Sequence, residues 1–379
     1  MLKKFSVTNF RQFNDTLEFD LTSSNYAFNQ GCVKDGIVKF ALIYGENGTG
    51  KTNLGKAIFD SVSHLTDFTS MKSEKYFLNA NSNKPTALFR FEFLFKERKK
   101  THDVIYEYEK DDKEILISEK IYINNELVLD YKVGNTLMLT LKGTEQLNKT
   151  INPSQNLSAV KYVYSNTSLT SNLDKRNLNN RMFLAFFEQI KAMLLFRNVF
   201  DGIHYIGQHN GGINILESII DNGNIKDFEK FLNEFGLNFK LVTIRSLEEK
   251  SIGIKFGKKV IPFFKVISTG TKSLTLFYYW WQIIKIENKV SLLFIDEFDA
   301  SYHFALSEKI VEKLKQLADV QVILTTHNTN LLSNELIRPD CAYVIDGKKI
   351  SSLKKATNKE LREIHNLERL YQAGEFDEE

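Results

Sequence analysis

Gly45-Glu46-Asn47-Gly48-Thr49-Gly50-Lys51-Thr52 decides how the rest of the chain reads. It is a complete GxxxxGK[ST] pattern. The compact apolar run 37–44 precedes it, and residues 53–65 follow with apolar side chains at helical spacing. Strand, glycine loop and helix in that order are the context a phosphate loop requires. Three glycines let consecutive backbone N–H groups turn inward around the β- and γ-phosphates of a nucleotide. The helix N-terminus behind them adds positive potential. Lys51 supplies a mobile charge between those phosphates, and Thr52 offers a hydroxyl to Mg²⁺. Glu46, Asn47, Thr49 and Asn53 complete the stretch expected to line bound ATP.

Upstream of the loop, residues 2–20 read as two strands with a turn near Asn14-Asp15. Downstream, from 86 to 141, the period changes to two. Phe89-Arg90-Phe91-Glu92-Phe93 alternates, as do 104–108 and 115–123, with turns at 110–113 and at Asn124-Asn125. This predicts an antiparallel β-subdomain. Residues 142–176, rich in Asn, Ser and Thr, read as loop or peripheral structure. Helical spacing returns at 180–196 and 215–235, and strands at 239–244 and 252–256. From 267 the pattern is α/β again: helix 271–286, strand 291–295, helix 305–317, strand 320–325, helix 330–334, strand 342–345 and helix 358–371. The expected fold class is therefore α/β, a P-loop NTPase core built from 1–65 and 265–379. Residues 66–265 are inserted: β-rich at 86–141, mainly helical at 176–236, stranded at 239–256. No repeat or sustained heptad is visible, so no long coiled-coil arm is expected.

Lys+Arg 50 against Asp+Glu 47 leaves a net +3, a balance that neither supports nor excludes binding to DNA. The two cysteines, Cys32 and Cys341, form no CxxC. This excludes a disulfide framework and the usual zinc spacings, and suits a reducing cytoplasm. The most apolar window, 274–284, lies between Lys272 and Lys285 and falls short of the ~20 residues a membrane helix needs. It reads as a buried helix. The N-terminal residues lead into an alternating strand and carry no signal h-region.

Leu292-Leu293-Phe294-Ile295-Asp296-Glu297 is an apolar strand ending in two carboxylates, the form of a Walker B motif. Asp296 is expected to hold Mg²⁺ through water, and Glu297 to orient and polarise the attacking water. Thr52 and Asp296 are far apart in sequence yet point to one metal site.

With these motifs in hand, Ile267-Ser268-Thr269-Gly270-Thr271-Lys272 resembles the ABC signature in the form found in SMC and RecF-type ATPases. The resemblance implies that Ser268, Thr269, Gly270 and Thr271 serve the ATP of the opposite subunit in a head-to-tail dimer. Thr269 replaces the family's first glycine and Thr271 its acidic or Gln position, departures that weaken trans closure or hydrolysis. Asp299, in Glu297-Phe298-Asp299-Ala300, resembles the D-loop along the dimer interface. His327, in Leu324-Thr325-Thr326-His327-Asn328, is similar to the switch histidine that reaches the γ-phosphate. The opening Val7-Thr8-Asn9-Phe10-Arg11-Gln12-Phe13 resembles the first strand of the RecF/SMC group. This makes Arg11 a candidate nucleotide contact, with a surface arginine the equal alternative. Gln208, in Tyr205-Ile206-Gly207-Gln208-His209-Asn210, is the one candidate for a metal-binding Q-loop glutamine, against the alternative of an ordinary loop residue.

Arg338-Pro339-Asp340 and the tail 366–376 resemble the stand-alone bacterial AAA-family ATPases of abortive-infection and anti-phage defence systems, relatives of the ATPase half of the OLD nucleases. The resemblance covers roughly 1–60 and 265–379. It implies ATP and Mg²⁺ as cofactors, a homodimer or higher homo-oligomer, and a separate toxin or nuclease effector. OLD nucleases carry a Toprim domain after the ATPase. The residues after His327 are too few for one, so no nuclease activity is expected of this chain. The cluster Lys96, Arg98, Lys99 and Lys100 reads as a solvated hairpin tip before a DNA contact. The rival reading is a RecF/SMC-like ATPase acting directly on DNA in repair or maintenance. A transporter ATPase subunit is set aside, because the β-rich insertion and the missing family-like Q-loop do not suit docking to a membrane partner.

Overall fold

The structure is a computed structural model that describes residues 1–66, 76–145, 147–148, 157–166, 176–197, 205–207, 214–245, 250–286 and 289–376. Strands β1 (Leu2–Thr8) and β2 (Leu17–Asp20) pair antiparallel, with Phe5 opposite Phe19. A short hairpin of β3 (Val33–Lys34) and β4 (Ile37–Val38) leads to β5 (Phe40–Tyr44), the glycine loop and helix α1 (Lys51–Leu65). The β-rich segment follows as β6 (Ala87–Glu97), β7 (Lys100–Lys110), β8 (Leu116–Ile123), β9 (Glu126–Lys132) and β10 (Met138–Leu139). Then come α2 (Ala159–Ser165), α3 (Leu178–Lys191), β11 (Met193–Arg197) and β12 (Tyr205–Ile206). Helices α4 (Ile215–Asp221) and α5 (Ile225–Glu234) precede a three-stranded sheet of β13 (Leu241–Arg245), β14 (Lys250–Phe256) and β15 (Lys259–Pro262). The last third runs α6 (Thr269–Ile284), β16 (Leu292–Asp296), α7 (Phe304–Lys315), β17 (Gln321–Thr325), β18 (Ala342–Ile345), β19 (Ile350–Ser352) and α8 (Leu367–Gln372).

Two seven-stranded sheets carry the molecule. One has the order β12-β11-β16-β17-β5-β18-β19, with β11, β16, β17, β5 and β18 mutually parallel. Every residue of β5, β16 and β17 is buried, as a parallel strand covered on both faces requires. The other sheet, β10-β9-β8-β7-β6-β1-β2, is antiparallel and alternates buried with partly exposed residues. Helices α1 and α3 lie between the sheets: α1 packs on β11 and β16, and α3 on β6, β7 and β8. Phe186 of α3 sets its ring against Phe93 and Tyr106. Buried polar groups also cross this layer. Lys110 Nζ lies 2.7 Å from Asp60 Oδ2 of α1, and Tyr108 Oη donates to the same oxygen at 2.9 Å. Burial would raise the Asp60 carboxyl, but Lys110 and His64 hold it well below the usual carboxylate range. None of the described helices is long and apolar enough to cross a membrane.

The α/β class and the antiparallel subdomain stand as expected. Five readings do not. The helix expected through 196 ends at Lys191, and Met193–Arg197 becomes strand β11, parallel to β16. A continuous apolar run carries no period that separates buried strand from buried helix. Strands β1 and β2, read with the nucleotide core, pair into the antiparallel sheet through β6, while β11 and β12 from the inserted region join the parallel one. The helix expected at 330–334 is a single 3₁₀ turn, Thr329–Leu331, and that expected at 358–371 shrinks to Leu367–Gln372. Helix α1 begins at Lys51, two residues earlier than its periodicity suggested, because the glycine loop feeds directly into it.

Candidate nucleotide site

Parallel register brings the functional ends together. The C-terminal ends of β5, β11, β16 and β17 lie side by side, and they deliver the glycine loop, Arg197, Asp296 and Thr325 to one edge of the sheet. Gly50 has a φ of 102°, and a Cβ there would sit 2.4 Å from Gln12 Nε2 and 2.9 Å from the Phe13 ring. Glycine is thus required twice over, by backbone conformation and by space.

Lys51 is buried, and its Nζ donates to the carbonyls of Gly45 at 2.7 Å and Glu46 at 2.9 Å. Burial lowers its ammonium below the ordinary lysine value, with Asp296 and Glu297 opposing. Thr52 Oγ1 donates to Asp296 Oδ2 at 2.7 Å across a separation of 244 residues. The second carboxylate oxygen, Oδ1, accepts from Thr325 Oγ1 at 2.7 Å. A hydroxyl and a carboxylate converging at the foot of a phosphate loop are the hard oxygen donors Mg²⁺ takes, so Thr52 and Asp296 fit as its protein ligands. Among the described residues no group of three or more His, Cys, Asp or Glu forms another metal site.

Glu297 stands at φ 49°, a left-handed conformation uncommon for a non-glycine residue. Its amide donates to Thr325 Oγ1 at 2.7 Å, and its Oε2 accepts from Arg197 Nη2 at 2.7 Å. Burial, and then the positive charge of Lys51, lower His327 below the usual imidazole value, which keeps the ring neutral at pH 7. Asp299 accepts from Thr326 Oγ1 at 2.7 Å, and burial pushes its carboxyl up.

Three residues at this edge were missed by reading the sequence. Gln12 Nε2 donates to Gly48 O at 3.2 Å, and its Oε1 accepts from Asn53 Nδ2 at 2.7 Å. Thr325 holds Asp296 and the Glu297 amide, and Arg197 holds the Glu297 carboxylate. Only Gln12 left a signal, as the neighbour of Arg11 in the opening motif. Arg11 itself lays its guanidinium over the Phe10 ring, 5.3 Å from the centroid. Gln208 lies outside the described residues.

Ser268 caps α6: its Oγ accepts from the Thr271 amide at 3.2 Å. Ser268 and Thr269 are exposed, Gly270 is half-buried and Thr271 is buried. A Cβ on Gly270 would lie 2.7 Å from the Ser301 carbonyl, so the helix start packs against the turn that follows Asp299. Among the described residues no hydrogen bond joins 268–271 to the glycine loop of the same chain. Arg338-Pro339-Asp340 is a structural clasp: Arg338 makes two bonds to Asp340, at 3.0 and 2.7 Å, and both side chains are buried.

No curated protein matches the chain in sequence. Among solved structures it is similar to an SMC head bound to the C-winged helix domain of ScpA, at 16% identity and TM-score 0.47, covering 94% of this chain and 98% of that one. The SMC head domain from Thermotoga maritima aligns at 15% identity and TM-score 0.44, covering 93% and 98%. The Smc head with an extended coiled coil bound to the C-terminal domain of ScpA, from Pyrococcus furiosus, aligns at 14% and 0.46, covering 94% and 97%. Residues 40–333 match the family model described as "AAA domain, putative AbiEii toxin, Type IV TA system". That match spans most of the chain, from the strand before the glycine loop to beyond His327, and the chain belongs to this AAA-domain family.

Proposed function

We propose that the chain binds MgATP at the 45–52 loop and hydrolyses it in a head-to-tail dimer in the cytoplasm. The ATP state of that dimer controls a separate toxin or nuclease effector in an anti-phage defence system. The 2.7 Å contact between Thr52 and Asp296 carries the reading, since it joins the phosphate loop to the acidic strand end through two oxygen donors of the kind Mg²⁺ takes. Bound Mg²⁺ neutralises charge on the phosphate oxygens. The loop amides and Lys51 hold the β- and γ-phosphates, and His327 faces the terminal phosphate. Glu297 takes a proton from the attacking water. Ser268 and Gly270 complete the site of the partner copy, and the exposure of Ser268 and Thr269 at the helix start supports that role. The effector half of the proposal draws on the family's printed toxin-antitoxin description.

Glu297→Gln separates binding from chemistry. The variant keeps the shape of the side chain but cannot accept the proton. ATP should bind as in wild type, turnover should fall on the order of 10²-fold or more, and an ATP-bound dimer should accumulate in sedimentation velocity. Hydrolysis at the wild-type rate would remove Glu297 from the mechanism.

A further inference from the structure

Arg197 is the last residue of β11 and lies opposite Asp296 in parallel register. Its guanidinium donates through Nη2 to Glu297 Oε2 at 2.7 Å. Among the described residues, no other protein acceptor bonds this guanidinium, and no other protein donor bonds the Glu297 carboxylate. The Glu297 backbone is already fixed. Its amide is held by Thr325 Oγ1 at 2.7 Å, the next amide by the Thr325 carbonyl at 3.2 Å, and its own carbonyl accepts from Ala300 at 3.2 Å. What remains to be set is the direction of the carboxylate, and Arg197 is the group that sets it.

We propose that Arg197 is a positioning residue for hydrolysis, holding Glu297 by one oxygen so that the other faces the attacking water. This rests on the assignment of Glu297 as the proton acceptor. The single-oxygen grip is the decisive feature. A bidentate pair would occupy both carboxylate oxygens, whereas here Oε1 is left to take the water proton while the water oxygen bonds to the γ-phosphorus and the bond to the ADP oxygen breaks. The pair is 45% and 30% exposed, so it contributes little to folding, and its removal leaves the fold standing. A latch that restrained Glu297 would act in the opposite sense, because releasing it would speed hydrolysis.

The test compares Arg197→Ala, Glu297→Gln and the double variant in the full chain with ATP and Mg²⁺. Arg197→Ala should lower kcat at least tenfold, with ATP affinity by direct titration within about threefold of wild type and the melting temperature unchanged. The double variant should be no slower than Glu297→Gln alone, because Arg197 acts only through that carboxylate. An unchanged or raised kcat in Arg197→Ala would overturn the proposal, as would a tenfold further loss in the double variant. If Glu297→Gln itself turned over like wild type, the catalytic assignment beneath the proposal would have failed, a result separable from failure of the positioning role.

Discussion

Lys51 Nζ donates to two carbonyls of its own loop, Gly45 and Glu46. Phosphate oxygens are stronger acceptors for an ammonium than peptide carbonyls, so these bonds are the ones ATP replaces. Lys51→Ala should therefore weaken ATP binding at least tenfold, about 1.4 kcal/mol or more, in a calorimetric titration. Wild-type affinity would refute the phosphate-loop assignment. At this scale the sequence was most legible where function is local. The eight residues of the loop and the Asp296-Glu297 pair each form a contiguous pattern. Thr325 and Arg197 were not legible as site residues, because their partners lie at the end of another strand, and Gln12 left a signal only as the neighbour of Arg11. Arg197 meets a carboxylate 100 residues away, and an arginine ending an apolar run has no signature of its own.

Helix α1 is the element through which the nucleotide loop meets the rest of the fold. Its far side carries Asp60, paired with Lys110 of β7 in a contact where the two side chains are 10% and 5% exposed. Breaking a buried ion pair from one side leaves an uncompensated charge, so Lys110→Met should cost about 3–5 kcal/mol in urea unfolding. A loss below about 1 kcal/mol would mean that Asp60 finds other compensation. The sign of the pH dependence follows from the depressed Asp60 carboxyl. Its stabilisation is fully present above the unfolded value, about 3.9, and is lost as pH falls below that through the lower folded value. Most elements here were readable from period alone, with ends shifted by a residue or two. The exceptions have physical causes. Met193–Phe196 is apolar throughout, so strand and helix look alike. Residues 358–366 bury Leu361 but no stripe at helical spacing that would hold a helix in place, and the helix forms only from Leu367.

Across the whole molecule, the two sheets are assembled from strands distant in sequence. Strand β1 pairs with β6, and β11 enters between β12 and β16. Local spacing gives no information on such pairing, which is why residues 2–20 were read with the nucleotide core. Ser268 and Thr269 stand exposed at the start of α6, with no bond among the described residues to the loop of their own chain. In the proposed head-to-tail pair these residues face the nucleotide held by the partner copy.

Ser268→Arg places a long cation on that exposed helix start and leaves the 45–52 loop intact. The most direct measurement is the steady-state ATPase rate of Ser268→Arg alone, of Lys51→Ala alone, and of the two mixed. In a mixed dimer one site carries both defects and the other neither. Each variant alone should bind or close no productive site. Ser268→Arg should keep near-normal ATP affinity, and the mixture should regain activity up to a ceiling of about half the wild-type rate per mixed dimer. Ser268→Arg hydrolysing ATP like wild type on its own would contradict the shared site, reduce Ser268 to a helix cap, and remove the basis for dimer control of a partner.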